Sequence, residues 1–410
     1  MNRIYNLKSY VFILLGVLFL LSVSCNKYIV EEVETVDAST VTPNTIETDL
    51  AVINITVPQA DFDYMMGNYT EDIEIVGHLT MFHFKKQIIK DQLIEISIKG
   101  SFTAEYPLKS LKIKFDKNQD NSTGSILNVE DKLANHHLDV IRNFSLRNSG
   151  NDFYESYIKD ISYSQLAIDM KLDLELSYYR IVQVFVNDKF YGLLNMRTEK
   201  NRTALSKLMD VSKGDLNIIK INHIGGGVEE LEYKHGDEAK MNELVTAVFS
   251  RNTTKLKELL DLQNVADYIA YQDFIGNSDW PFNNVEIYSV VDGKFRFFLY
   301  DLDFAGTRNK YFFLDDNPNG FVYNMFKALM EDDATKAMFE ESQRKIVNYA
   351  HTSKFKQIVR ANAHRIENEI SYNISKYAVP SSHAEWYLEL EKVQNQYELR
   401  RDEYIDYYGL

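Results

Sequence analysis

Two kinds of hydrophobic periodicity and one break between them predict an α+β fold: a β-rich first half, a mainly helical second half, and a cleft between two lobes. Period-two runs occupy residues from about 50 to 200, and period-3.6 runs dominate from 201 to the end at Leu410. A loop containing Gly225-Gly226-Gly227 lies between the halves, where a flexible connector is expected.

The first element precedes the fold. Arg3 and Lys8 are followed by an almost uncharged apolar run from Tyr10 to Val23. That run is too short to span a bilayer comfortably and suits the apolar core of a signal peptide. It ends in Leu21-Ser22-Val23-Ser24-Cys25, a small residue directly before a cysteine. Lipoprotein processing needs this arrangement: a diacylglyceryl group goes on the Cys25 sulfur and cleavage leaves that cysteine first. Leu21 stands one step further back than the usual pattern puts it, and a plain signal peptide or N-terminal anchor is the alternative. Cys25 is the chain's single cysteine. The rest therefore lacks a disulfide, a cysteine metal site and a thiol nucleophile. The expectation is a soluble mature part tethered by its lipid to a membrane of a bacterial cell envelope, at the outer membrane or cell surface.

Residues 26–48 read as a spacer, with Glu31, Glu32, Glu34 and Asp37 among Val and Thr and no period. The domain is expected over 49–410, with a β-rich lobe to about 200. Net charge is −15, which argues against a general nucleic-acid binder and leaves room for a local basic pocket. A chain of 410 residues with 45% hydrophobic content can bury a large core.

Strands are predicted around Ile53 to Val57, Ile94 to Ile98, Leu111 to Phe115 and Val182 to Val186. The last turns at Asn187-Asp188 and returns over Tyr191 to Met196. One helix interrupts them, from about Tyr154 to Lys171. In the second half, Met241 to Phe249, Leu256 to Leu260, and Trp386 to Tyr397 follow the helical period. A hairpin sits among them: Val285 to Val290, a turn at Asp292-Gly293, then Phe295 to Tyr300.

The densest polar constellation flanks that hairpin. Asn277-Ser278-Asp279-Trp280-Pro281-Phe282-Asn283-Asn284 precedes it, and Tyr300-Asp301-Leu302-Asp303-Phe304 follows it. Phosphoryl transfer needs such a set: one carboxylate to accept the proton of an attacking hydroxyl, an Asn and an Asp to hold Mg²⁺ against phosphates. Spacing alone leaves other readings open, since these residues also suit turns, helix caps or a structural Ca²⁺ site. The Walker phosphate loop, the His-Glu-x-x-His zinc motif and the Gly-x-Ser-x-Gly elbow do not occur. Asn135-His136-His137 reads as a surface loop, because adjacent histidines point apart.

Several segments, in order, resemble the spore-coat (CotH-type) kinase family. They are Tyr106-Pro107-Leu108-Lys109-Ser110-Leu111-Lys112-Ile113-Lys114-Phe115, then Leu146-Arg147-Asn148-Ser149-Gly150-Asn151-Asp152 with Ile158-Lys159-Asp160. The hairpin from Val184 to Leu193, ending in Arg197-Thr198-Glu199-Lys200, and the two acidic segments above complete the set. Trp386 and Arg400 fall where the last helix of the family often has Trp and Arg. The resemblance implies a two-lobed atypical protein-kinase-like fold without a glycine-rich loop. It implies Asp279 as catalytic base, and Asn284 (or Asn283), Asp301 and Asp303 around Mg²⁺ or Mn²⁺. Lys109, Lys112 and Arg147 would neutralise the phosphates of ATP, with Glu199 pairing one of those bases. Two departures bear on ATP: Leu108 stands at the family's first Lys, and Lys99 stands at an expected Arg. The implied activity is transfer of the ATP γ-phosphoryl group to Ser or Thr of a partner protein. The alternatives are a pseudokinase serving as a surface protein- or glycan-binding module, and an enzyme of the same fold moving another nucleotide-borne group.

Overall fold

The computed structural model describes residues 36–115, 143–224, 229–307 and 319–410. Cys25 and the export signal, Asn135-His136-His137 and Gly225-Gly226-Gly227 lie outside the described residues. The fold is mixed α+β, as its periodicities predict.

The first half supplies β1 (Ala51–Thr56), β2 (Glu74–His83), β3 (Lys86–Lys99), β4 (Ser110–Phe115), β5 (Asn143–Arg147), β6 (Glu175–Leu176), β7 (Tyr179–Val186) and β8 (Lys189–Thr198). Seven of these close into a barrel in the order β1-β2-β3-β4-β5-β8-β7. All neighbours are antiparallel except the closing pair, β1 against β7, where Ile53 faces Val184. Closure removes free sheet edges and was not evident from alternation, which reports faces and not partners. β2 alternates exposed and buried residues along its whole length, whereas β7 is buried throughout. The expected helix from Tyr154 is shorter than its apolar pattern. Gly150–Tyr154 forms a 3₁₀ turn, Tyr157 has φ +70°, and the helix begins at Lys159. The buried Asp152 carboxylate sets that start by accepting the backbone N–H of Lys159 at 2.7 Å and of Ser156 at 2.9 Å.

The second half is not uniformly helical. It adds β9 (Leu216–His223), β10 (Glu229–His235), β11 (Val285–Val290) and β12 (Arg296–Leu299), which form a second sheet ordered β10-β9-β11-β12-β6. Because β6 comes from the first half, the division expected near residue 200 is crossed by this sheet. β9 escapes the period-two reading because Leu216, Asn217, Ile218 and Ile219 are all buried, so both faces of the strand are covered.

The described residues also hold α1 (Gln59–Gly67), α2 (Lys159–Asp169), α3 (Arg202–Leu208), α4 (Glu238–Phe249), α5 (Thr253–Leu259) and α6 (Leu262–Ile275). After them come α7 (Phe321–Met330), α8 (Asp333–Tyr349), α9 (Thr352–His364), α10 (Ile370–Tyr377) and α11 (His383–Tyr408). α6 is the central helix, buried from Asn264 to Ile275. α11 locks onto it: the Arg400 guanidinium donates to the Asp273 carboxylate at 3.3 Å, and Tyr408 Oη donates to the same group at 2.7 Å. Trp386, also on α11, is fully buried and donates to Ser156 O at 2.8 Å.

The expected spacer is folded from at least residue 36. Ala38 and Ile46 are buried against Val52, Phe185 and Phe190 of the barrel. Ala38 N–H donates to Ser375 Oγ of α10 at 3.1 Å. Among the described residues, no helix is long and apolar enough to cross a membrane.

Candidate functional site

A cleft of about 840 Å³ is bordered by the ends of β3, β5 and β8, by β9, and by the loops after α6 and β12. Arg147, Asp279, Asn283, Asn284, Asp301 and Asp303 all border it.

α6 ends at Gly276, whose φ of +58° releases the chain into the polar loop. Asn277 is fully buried: its amide N donates to Gln272 Oε1 at 3.2 Å, and its Oδ1 accepts the backbone N–H of Asp279 at 3.2 Å. Trp280 plugs the loop into the core, edge-on to Tyr268. Asp279 is then gripped from both sides. Its Oδ1 accepts Asn283 Nδ2 at 2.8 Å, and its Oδ2 accepts Asn284 Nδ2 at 2.5 Å.

β12 delivers the second acidic segment, and Asp301 turns the chain at φ +60°. Arg147, the last residue of β5, lies 2.5 Å from Asp301 and 4.0 Å from Asp303. Burial works against both charges. The Arg147–Asp301 attraction outweighs it, raising the guanidinium above its ordinary pKa and holding the Asp301 carboxyl below the usual carboxylate range. Among the described residues Asp303 has no comparable partner: burial, then the neighbouring Asp301 charge, push it up to about 8. Its Oδ2 is held by the backbone N–H of Asn151 at 2.8 Å. Gly150 permits this approach, since it has φ +63° and a Cβ there would stand 2.1 Å from Asp303 Oδ2.

The bases differ from the expectation in three places. Lys109 is buried away from the cleft, with its ammonium donating to Ala104 O and Tyr106 O and standing 4.1 Å over the Tyr69 ring. It therefore clamps the Phe102–Glu105 turn. Lys112 is half-buried on β4 opposite Ser97 and Ser145 and does not border the cleft. Glu199 pairs none of Lys109, Lys112 and Arg147; it pairs Lys99 at 2.5 Å, and Lys99 also reaches Ser145 Oγ at 3.3 Å. Burial raises and Lys99 lowers the Glu199 carboxyl, with the net effect downward, while burial holds the Lys99 ammonium below its usual value. Leu108, the departure from the family pattern, is a fully buried residue packed over Gly192.

Four residues were not assigned roles from sequence. Asp160 of α2 accepts the backbone N–H of Leu302 at 3.3 Å, so it braces the segment between the two acids. Arg197 at the end of β8 is buried, borders the cleft and stands 3.4 Å from Asp160. Lys200 and Lys220 border the cleft from the β9 side. Asp160, Arg197 and Lys200 fall inside family-like segments, but only their neighbours across the fold show what they do.

The donor set suits a hard divalent cation. Asp301 and Asp303 present carboxylate oxygens, Asn284 an amide oxygen, and the raised pKa of Asp303 marks negative charge that Arg147 leaves uncompensated. Among the described residues no group of three His, Cys, Asp or Glu is placed to hold a metal, so a cation here would rest on two carboxylates and an amide. In comparison with protein families, the chain matches the CotH kinase protein family over residues 96–404. No curated protein matches the chain.

Proposed function

Because the chain belongs to the CotH kinase family, we propose that it is a two-lobed, atypical protein kinase that transfers the γ-phosphoryl group of ATP to a Ser or Thr hydroxyl of a partner protein. The observation that carries this reading is that Asp279 and the Asp301–Asp303 pair border the same cleft, each fixed by its own set of partners. Asp279 acts as general base, and its two amide partners keep the carboxylate aimed. Asp301, Asp303 and the Asn284 amide would hold Mg²⁺ or Mn²⁺, which when bound would supply positive charge against the phosphates. Arg147 and the Lys99–Glu199 pair fix the floor on which the phosphates lie. The kinase ion-pair arrangement is thus supplied by Lys99 from β3 and Glu199 from the end of β8. As the sequence implies, the protein is exported and anchored to the envelope membrane by a lipid on Cys25.

Incubation with Mg²⁺ or Mn²⁺ and ATP labelled at the γ or the α position tests the activity. Acid-stable γ label on protein hydroxyls supports the kinase. Transfer of α label alone replaces it with an enzyme that moves a nucleotidyl group. Absence of both, together with no thermal shift by any nucleotide, leaves a surface binding module. One observation favours that last reading: the bases nearest the acids already have acid partners. Fatty-acid labelling in a bacterial host tests the anchor, with Cys25→Ala expected to abolish the label.

A further inference from the structure

The bases on the barrel side are committed elsewhere: Lys109 to carbonyls, Lys99 to Glu199, Arg147 to Asp301, and Arg197 to Asp160. Lys220 is different. It projects from β9 at the cleft and has no carboxylate within 4.0 Å among the described residues. Its two cross-strand neighbours are acids, Glu286 on β11 and Glu232 on β10. Both serve other lysines: Glu286 stands 3.5 Å from Lys200, and Glu232 stands 2.9 Å from Lys234. Lys200 itself is held 4.1 Å over the Tyr300 ring and borders the cleft beside Lys220. Of the two ammonium groups only Lys200 has a close carboxylate among the described residues, and burial with the charges of Lys200 and Lys234 presses the Lys220 ammonium below its ordinary pKa. An oxyanion placed between them relieves that repulsion.

We infer that Lys220 and Lys200 form the oxyanion subsite of the cleft, and that it takes the phosphoryl groups of a nucleotide or of a free polyphosphate. Asn222, two residues along β9 on the same side, borders the subsite, and its amide is oriented by Glu232 at 3.3 Å. The inference rests on the kinase reading for the identity of the nucleotide but not for the subsite itself.

The test is calorimetric binding of MgATP, adenosine and inorganic tripolyphosphate to the full chain in detergent, beside Lys220→Gln and Lys220→Arg. Lys220→Gln is expected to weaken ATP and tripolyphosphate alike by about tenfold, the loss of one charge-assisted contact. Adenosine binding should be unmoved, and Lys220→Arg should recover most of the loss. Lys200→Gln lies just beyond β8 and outside any strand, so it repeats the test if the β9 variant does not fold. Unchanged ATP and tripolyphosphate affinity in the folded Gln variants would overturn the subsite and leave the kinase reading intact. Lys220-dependent binding of tripolyphosphate without binding of ATP would support the subsite and sink the kinase reading.

Discussion

On the barrel side of the cleft, Lys99, Arg147 and Arg197 each face an acid of their own; on the sheet side, Lys220 faces none within 4.0 Å among the described residues. The first arrangement spends charge on geometry. Arg147 cannot drift from Asp301, and Glu199 cannot drift from Lys99, so the positions of these groups are fixed before any ligand arrives. The second arrangement keeps charge in reserve for a ligand. The difference teaches that a base bordering a phosphate-sized cleft is not thereby a phosphate ligand. What decides is whether an acid already holds it.

The comparison breaks most visibly at Asp301. Asp301→Ala leaves the largely buried Arg147 guanidinium without its nearest counter-charge. Denaturant unfolding should show a loss of about 3–5 kcal/mol, the range for breaking one side of a buried pair. Replacing both partners by apolar residues of similar size should restore most of the stability and none of the activity.

A smaller loss is expected from Gly150→Ala, where a left-handed φ of +63° and a Cβ 2.1 Å from Asp303 Oδ2 both resist a side chain. About 1–3 kcal/mol of stability should go, by the same measurement, together with weaker Mn²⁺ binding by calorimetry.

Lys109 sharpens the contrast with Lys220. Lys109→Met leaves Ala104 O and Tyr106 O without their ammonium donor and should cost about 1–2 kcal/mol of stability. ATP affinity should stay within twofold of the parent, as a backbone clamp predicts and a phosphate ligand does not.

Asp303 gives the most gradual effect, spread along the pH axis. Its folded pKa, about 8, lies above the ordinary carboxylate value. The folded state therefore holds a proton that the unfolded state has lost, and its stabilising share is full at acid pH and lost as pH rises toward 8. Without divalent cation, the parent should lose stability steadily across that window in thermal scans, and Asp303→Asn should flatten the slope.

How far these properties could be read from the chain depends on what each residue needs to be understood. The hairpin of β11 and β12 was readable because Val285 to Val290 and the Asp292-Gly293 turn are local signals, and Asp292 indeed takes φ +62°. Asp279, Asp301 and Asp303 were readable because they flank that hairpin, and a hairpin brings its two ends together. β9 was not, since burial on both faces erases alternation, and the polar edge strand β10 carries little apolar signal at all. The roles of the lysines were the least readable. Lys109, Lys112 and Lys114 look equivalent along one basic strand. Yet Lys109 turns into the Ala104–Tyr106 carbonyls, while Lys114 pairs Glu74 on the outside of the barrel. Asp160 and Arg197 lie 37 positions apart in numbering and meet only in the folded chain, 3.4 Å apart.

The most direct test of the account separates the two acidic segments in one experiment: nucleotide binding and γ-phosphoryl transfer measured side by side on the chain lacking its first 25 residues, for the parent, Asp279→Ala and Asp301→Ala. A general base and a cation ligand must fail differently. The account predicts that Asp279→Ala binds Mg²⁺-ATP as the parent does and transfers phosphate at least about a hundredfold more slowly, whereas Asp301→Ala loses metal-dependent binding and transfer together. Transfer that survives Asp279→Ala unchanged, or a parent that binds nucleotide and transfers nothing, would contradict it.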